Sequence, residues 1–361
     1  MKKIILILIL SLMAILAYSQ NQDSKENTLV YDEQALSRAE TTKIMTNANY
    51  RPNYYMSVAH RAKISGYEEF PENSLSVIKN SIMLGVNILE IDLKISSDGY
   101  VYLMHDDYLQ RTTNFLDIYP GTGTGQDSYG KCDSYSWNDT KNLLLKRSDF
   151  TCSEEKIPLF RDVLRYVKNN TQAILNLDIN SEEVFSATWN IVKDENAFDI
   201  VVFKTRGATV TEFKQNYYDA LSDANKAKLI LFPIISAKIQ NIPQYYQNWE
   251  NSKIPKGYEI SFRDNVSATD SILLNVVKSI RNTNRVRVHA FSTLPDNYKG
   301  RYKGNVNINQ CCNNAFDRRG DWEFLLDPFI ESGTEHGVNG SIITDDPILL
   351  DDFYISIDRH N

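Results

Sequence analysis

From residue 51 onward, short apolar runs rich in β-branched residues alternate with segments whose apolar positions recur at helical spacing. Residues 56–60 read as a first strand. Residues 74–84 read as a helix, with Leu75, Ile78 and Ile82 on one side and Gly85 as its stop. A second strand is predicted over 87–95, followed by a Ser-Ser-Asp-Gly turn and an extra extended segment over 100–105. Further strands are predicted over 173–179, 200–204, 228–234, 258–262, 285–292 and 340–344. Helices are predicted over 159–168, 182–192, 210–221, 243–249, 271–281 and 322–331. Eight strands alternating with helices predict parallel βαβ units, most simply an α/β fold closed as a (β/α)8 TIM barrel. An open doubly wound sheet is the alternative, but no G-x-G-x-x-G follows the first strand.

Two stretches break the alternation. Residues 107–156, after strand 2, are rich in Gly, Ser, Thr, Asp and Tyr and read as a loop-like insertion; a second insertion, 296–320, follows strand 7. Residues 51–361 are read as one barrel domain. The polar segment 21–50 reads as a linker with one short helix near 31–39. Residues 1–20 have two lysines, an apolar run over 4–16 and then small or polar residues, the pattern of a signal peptide. That run is short of the roughly 20 residues a spanning helix needs. The expectation is an exported protein, periplasmic or secreted, with no stable membrane span after cleavage.

Charge narrows the partners. Without Lys2 and Lys3 the chain has 37 basic against 46 acidic residues, near −9, and no basic run with interleaved aromatics, so nucleic acid is not expected as a partner. The four cysteines lack zinc-finger spacing; in an oxidising compartment Cys132 and Cys152 can close a loop, and Cys311-Cys312 can bond outward, to each other, or stay reduced.

In such a barrel the chemistry belongs at the C-terminal strand ends. Strand 1 ends at His60-Arg61, and His105 closes the extra segment. Glu90 and Asp92 are two apart on strand 2 and share a face, as Asp178 does with Asn176 and Asn180 on strand 3; Leu89, Ile91, Leu93, Leu175, Leu177 and Ile179 point the other way. Three buried carboxylates repel one another unless a cation neutralises them, and all-oxygen ligands suit Ca²⁺ or Mg²⁺. Two histidines beside them can take and give a proton. Arg61 offers a donor fork suited to phosphate. Lys204 interrupts an apolar run and can reach a phosphate oxygen or extend to the rim. His289, on the inward parity of strand 7, can contact substrate or fill a polar barrel layer.

These residues carry a resemblance. His60-Arg61, Pro-Glu-Asn-Ser at 71–74, Glu-Ile-Asp at 90–92, Ser-Asp-Gly at 97–99, His105-Asp106, Leu-x-Arg-Thr-Thr at 109–113 and the closing segment 337–345 resemble the glycerophosphodiester phosphodiesterase family. The resemblance implies hydrolysis of a small-molecule phosphodiester, including phospholipid-derived ones, to an alcohol and glycerol phosphate. It implies one divalent cation on Glu90, Asp92 and a third acid, His60 and His105 as acid and base, Arg61 on the phosphate and Glu72 in support. The chain departs from the family pattern at Ala62, where glycine is usual, and at Asp178 and Asn180, where an E-x-K motif is usual. It departs again at His289-Ala290-Phe291, where a tryptophan-threonine pair is usual. A phospholipase-D-like enzyme acting on lipid headgroups and a non-catalytic phosphate-ligand-binding barrel are the other readings.

Overall fold

The computed structural model describes residues 36–120, 129–261, 268–291, 322–323, 325–326 and 337–360. Eight parallel strands form its sheet: β1 (Met56–Ala59), β2 (Ile88–Ile95), β6 (Ile174–Ile179), β7 (Val201–Arg206), β8 (Ile230–Ser236), β9 (Gly257–Ser261), β10 (Arg287–Phe291) and β11 (Ser341–Thr344). They run in the order β1-β11-β10-β9-β8-β7-β6-β2, and the pairing of Ala59 with Leu89 joins β2 back to β1. The sheet is therefore a closed (β/α)8 barrel, with every parallel strand within two residues of its predicted ends. β3 (Val101–Leu103) lies antiparallel on β2 and carries the chain back toward the mouth.

Strand alternation sorts the barrel. Outward residues such as Leu89, Ile91, Leu93, Leu175 and Leu177 pack against the surrounding helices in the main apolar cluster. Those helices are α2 (Leu75–Met83), α3 (Phe160–Asn170), α4 (Glu182–Asp194), α5 (Ile242–Ser252), α6 (Ala268–Thr283) and α7 (Pro347–Ser356). Ser74 and Ser181 cap α2 and α4 by accepting the Val77 and Val184 amides. Inward residues at the N-terminal ends, Met56, Val58, Ile88, Ile174, Val202 and Phe232, form a separate apolar floor. The floor is closed by α1 (Arg38–Thr46), whose Ile44 and Met45 are buried against it. The short helix expected near 31–39 thus lies further along, and part of the polar segment is a barrel plug.

Two polar side chains are built into the floor. Arg287 is fully buried, with its guanidinium donating to the carbonyls of Asn47, Tyr50, Arg51, Tyr54 and Asn339 at 2.6–3.2 Å. It ties plug, first strand and last strand together through backbone acceptors alone. His289 stacks on Phe232 at 4.2 Å between ring centroids. Its Nδ1 accepts the Ser341 amide at 3.0 Å, so Nε2 carries the proton and donates to the Met45 carbonyl at 3.0 Å. A side chain at Gly257 or Gly340 would meet this ring at 2.8 Å or 2.5 Å, so both glycines make room for it. His289 fills the barrel layer, which corrects its reading as a substrate contact.

Other departures have local causes. The insertion over 107–156 is more ordered than a loop: β4 (Leu144–Lys146) and β5 (Cys152–Lys156) form a hairpin over a small core of Tyr102, Met104, Leu109, Phe115, Leu143, Leu145 and Ile157. Cys132 and Cys152 are free thiols, one buried and one exposed, rather than a loop-closing bridge. The helix predicted over 210–221 breaks into one turn, Val210–Phe213, and a wider turn, Lys214–Tyr218. The second insertion, the Cys311-Cys312 pair and most of the helix predicted over 322–331 lie outside the described residues. Among the described residues no helix is long and apolar enough to cross a membrane.

Burial and the Arg287 charge lower the His289 imidazole to about 3 from an ordinary 6.5. The fold therefore favours the neutral ring. Its contribution is whole above about pH 6.5 and is lost as pH falls toward about 3. In urea denaturation followed across that window, His289→Gln is expected to lose an acid slope of up to about 1.4 kcal/mol per pH unit relative to wild type. Parallel stability profiles for the two proteins would contradict this.

Candidate active site

The polar mouth begins where β1 ends. His60 is buried, and its Nδ1 meets Asp345 Oδ1, just past β11, at 2.9 Å. The next two residues turn sharply: Arg61 and Ala62 both have left-handed backbones, at φ 54° and 57°. Ala62 stands where the resembling family has glycine, so the chain keeps the turn at a steric cost of about 1–3 kcal/mol per such residue. The turn aims the Arg61 amide at Glu90 Oε2, 2.7 Å away, and its carbonyl accepts the Asn73 amide at 3.1 Å. Asn73, itself left-handed, then clamps Asp92: its Nδ2 donates to Oδ2 at 2.9 Å and its Oδ1 accepts the Asp92 amide at 3.1 Å.

Glu90 and Asp92 project inward from β2, and Asp178 sits beside Asp92 in register on β6. All three are buried, and one oxygen from each lies within 4.8 Å of the others. Burial first, then the neighbouring carboxylates, push Glu90 and Asp92 above the ordinary carboxylate range. Burial pushes Asp178 the same way, but Lys204 and Arg206 outweigh it and bring that group down to about 2. Arg206 grips Asp178 with both carboxylate oxygens at 2.7–2.8 Å. The Lys204 ammonium is buried inside the barrel, 3.4 Å from Glu259 Oε2.

The residues fit a divalent ion. Glu90 Oε1 is buried with no hydrogen-bond partner, which leaves an acceptor for a cation. Glu90, Asp92, Asp178 and Glu259 bring four negative charges, Lys204 and Arg206 two positive ones, and one Ca²⁺ or Mg²⁺ would balance the remainder.

A second ring of pairs surrounds this centre. His105, brought back by β3, meets Asp106 Oδ1 through Nδ1 at 2.6 Å. Burial lowers the His105 pKa, but Asp106 and Asp92 outweigh it and the net shift is upward. Arg111 donates to Asp106 and to Glu72, and Glu72 also accepts from Arg61 at 3.2 Å. Glu72, held to about 2 by these two arginines against its burial, aligns them.

The structure thus gathers His60, His105, Arg61, Glu72, Glu90, Asp92 and Asp178 at one mouth. Lys204 has a different setting from either expectation: it faces Glu259 within the barrel. The cation on Asp178 comes from Arg206, one inward position further along β7. Asp345, Asp106, Arg111, Asn73, Arg206 and Glu259 were not singled out as site residues. Four of them lie inside the motifs that carry the resemblance; Arg206 is one of the charged groups at a strand end, and Glu259 has no local signal beyond its place on β9.

Fold and site define a (β/α)8 barrel whose C-terminal mouth brings two histidines beside three buried carboxylates that could hold a metal ion. A family model described as the glycerophosphoryl diester phosphodiesterase family matches residues 60–299, and the chain belongs to that family. Human glycerophosphodiester phosphodiesterase 1 is 32% identical over 123 residues, covering 33% of this chain and 32% of that protein. A Bacillus altitudinis glycerophosphodiester phosphodiesterase is 27% identical over 129 residues, covering 34% of this chain and 44% of its own length. The human glycerophosphoinositol inositolphosphodiesterase matches over 13% of its length, so the chain spans less than half of each of these relatives. Among solved structures, a Parabacteroides distasonis glycerophosphoryl diester phosphodiesterase shares the fold at TM-score 0.60 and 18% identity, over 90% of this chain and 93% of that one. An Oleispira antarctica phosphodiesterase, solved with sn-glycerol-3-phosphate, shares it at TM-score 0.51 and 18% identity, over 84% and 97% of the two chains.

Lys204→Met would remove the cation that Glu259, Asp178 and Glu90 share. It is expected to cost about 3–5 kcal/mol in urea denaturation, the range for breaking a buried pair from one side. Adding Glu259→Leu should recover part of that loss. A Lys204→Met protein as stable as wild type would show that the ammonium does not offset the acids.

Proposed function

We propose that the chain is an exported, divalent-metal-dependent phosphodiesterase that hydrolyses a glycerophosphodiester to an alcohol and glycerol phosphate. The observation that carries this reading is the juxtaposition of three buried carboxylates with two histidines, each bound through Nδ1 to its own carboxylate. The family and the product held by the Oleispira enzyme support the substrate class.

Glu90, Asp92 and Asp178 would hold the ion, which when bound supplies Lewis-acid polarisation of a phosphoryl oxygen. The chain's own groups do the rest. With Nδ1 on Asp345, His60 presents Nε2 as the base that takes a proton from the attacking water. His105, whose Asp106 contact favours its protonated form, donates to the leaving alkoxide. Arg61, fixed by Glu72 and lying 3.8 Å from Asp92, places a positive charge at the phosphate position. The apolar leader over residues 4–16 supports export.

Alcohol release from a glycerophosphodiester panel with Ca²⁺ or Mg²⁺ tests the reading. Chelation is expected to abolish turnover, and His60→Ala or His105→Ala to lower kcat by about 10²–10⁴-fold. Full activity in excess chelator would remove the metal, and full activity in His60→Ala would remove that residue's role.

A further inference from the structure

A cavity of about 330 Å³ lies beside the catalytic mouth, between the turn after β1 and the β4–β5 hairpin. Its volume is at the small end for ligand pockets, suited to a headgroup-sized substituent rather than an acyl chain. Five of its lining residues are basic and three acidic, in a chain whose net charge is −7. The acids are already engaged: Glu72 and Asp106 with Arg61 and Arg111, and Asp345 with His60.

Three cations remain. Arg147 donates to the carbonyls of Glu69 and Cys152 and to Thr151 Oγ1, none of which carries charge. Lys146 reaches only the Gln110 carbonyl, at 3.4 Å. Lys63 is half-buried beside them. Among the described residues none of the three forms an ion pair, while Arg161 and Arg165 on the outer surface share Glu195. Lys63 also lies within the field of Glu72 and Asp345 and Arg147 within that of Asp149, but five cations around three acids leave the cavity lining with excess positive charge, which favours an anion between them.

We propose that this cavity is a subsite for a second oxyanion carried by the substrate, a phosphomonoester or carboxylate beyond the scissile diester. The inference rests on the phosphodiesterase reading and names the substrate class it leaves open. Arg61 and Asp345 line the cavity as well as serving the catalytic mouth, so a substituent on the bound diester enters it directly. Ser148 adds a hydroxyl donor at its edge. Lys146 and Arg147 then act on specificity away from the two histidines, while Lys63 adds its charge beside Asp345.

The test compares glycerophosphoinositol with glycerophosphoinositol 4-phosphate, which differ by one phosphate. Wild type is expected to show a kcat/KM roughly tenfold or more higher for the phosphorylated compound, the scale of a charge-assisted hydrogen bond. Lys146→Ala should shrink that ratio toward one while the unphosphorylated substrate keeps its kcat/KM, and Lys63→Ala should shrink the ratio as well. Equal rates in wild type, or a ratio unchanged in both variants, would overturn the subsite alone. No turnover of either compound would overturn the phosphodiesterase reading and the subsite with it. Inorganic phosphate added to the unphosphorylated substrate separates the two sources of an anion. A rate change that Lys146→Ala abolishes would show a free effector anion and contradict the assignment to the substrate.

Discussion

Three carboxylates brought together inside one barrel mouth are the constraint on which the rest of this structure turns. Glu90, Asp92 and Asp178 are buried and within ligand distance of one another, an arrangement that repels itself in the absence of positive charge. The surrounding chain answers locally. Arg206 grips Asp178, Lys204 sits among the acids, the Arg61 amide binds Glu90 and Asn73 clamps Asp92. Each answer needs its strand at the right parity, and the Glu90 and Asp92 contacts also need the left-handed turn at Arg61 and Ala62. That turn survives without the glycine that would relax it, which fits the strain expected where geometry is fixed for function.

The two ends of the barrel follow one alternation to opposite outcomes. At the floor the inward positions are apolar and a single arginine, Arg287, stitches plug to barrel through carbonyl oxygens. At the mouth the inward positions are ionic and the stitching is charge against charge. Each histidine is tied through one nitrogen to a carboxylate, His60 to the distant Asp345 just past the last strand and His105 to its own neighbour Asp106. The insertion, with its own small core, completes the mouth through Arg111, which donates to both Asp106 and Glu72.

Much of this is legible in the sequence for a physical reason. Period-two alternation marks inward residues directly, so the barrel, the acid triad and the two histidines follow from pattern. Partners do not. Nothing local tells Asp345 that it will meet His60, 285 positions away. Parity alone also leaves height undetermined: His289 points inward as predicted but lies in the floor, and Lys204, expected at a phosphate oxygen or the rim, faces Glu259 inside the barrel. The helix Arg38–Thr46 was obscured because its buried side, Thr41, Ile44 and Met45, is too short and mixed to show a period.

Glu90, Asp92 and Asp178 are placed so that they could hold one divalent ion. Anomalous diffraction from crystals soaked in Mn²⁺ tests it most directly. One peak is predicted within ligand distance of Glu90, Asp92 and Asp178, and its loss in Asp178→Asn. A protein that binds Mn²⁺ elsewhere, or not at all, with those carboxylates unmoved would contradict it.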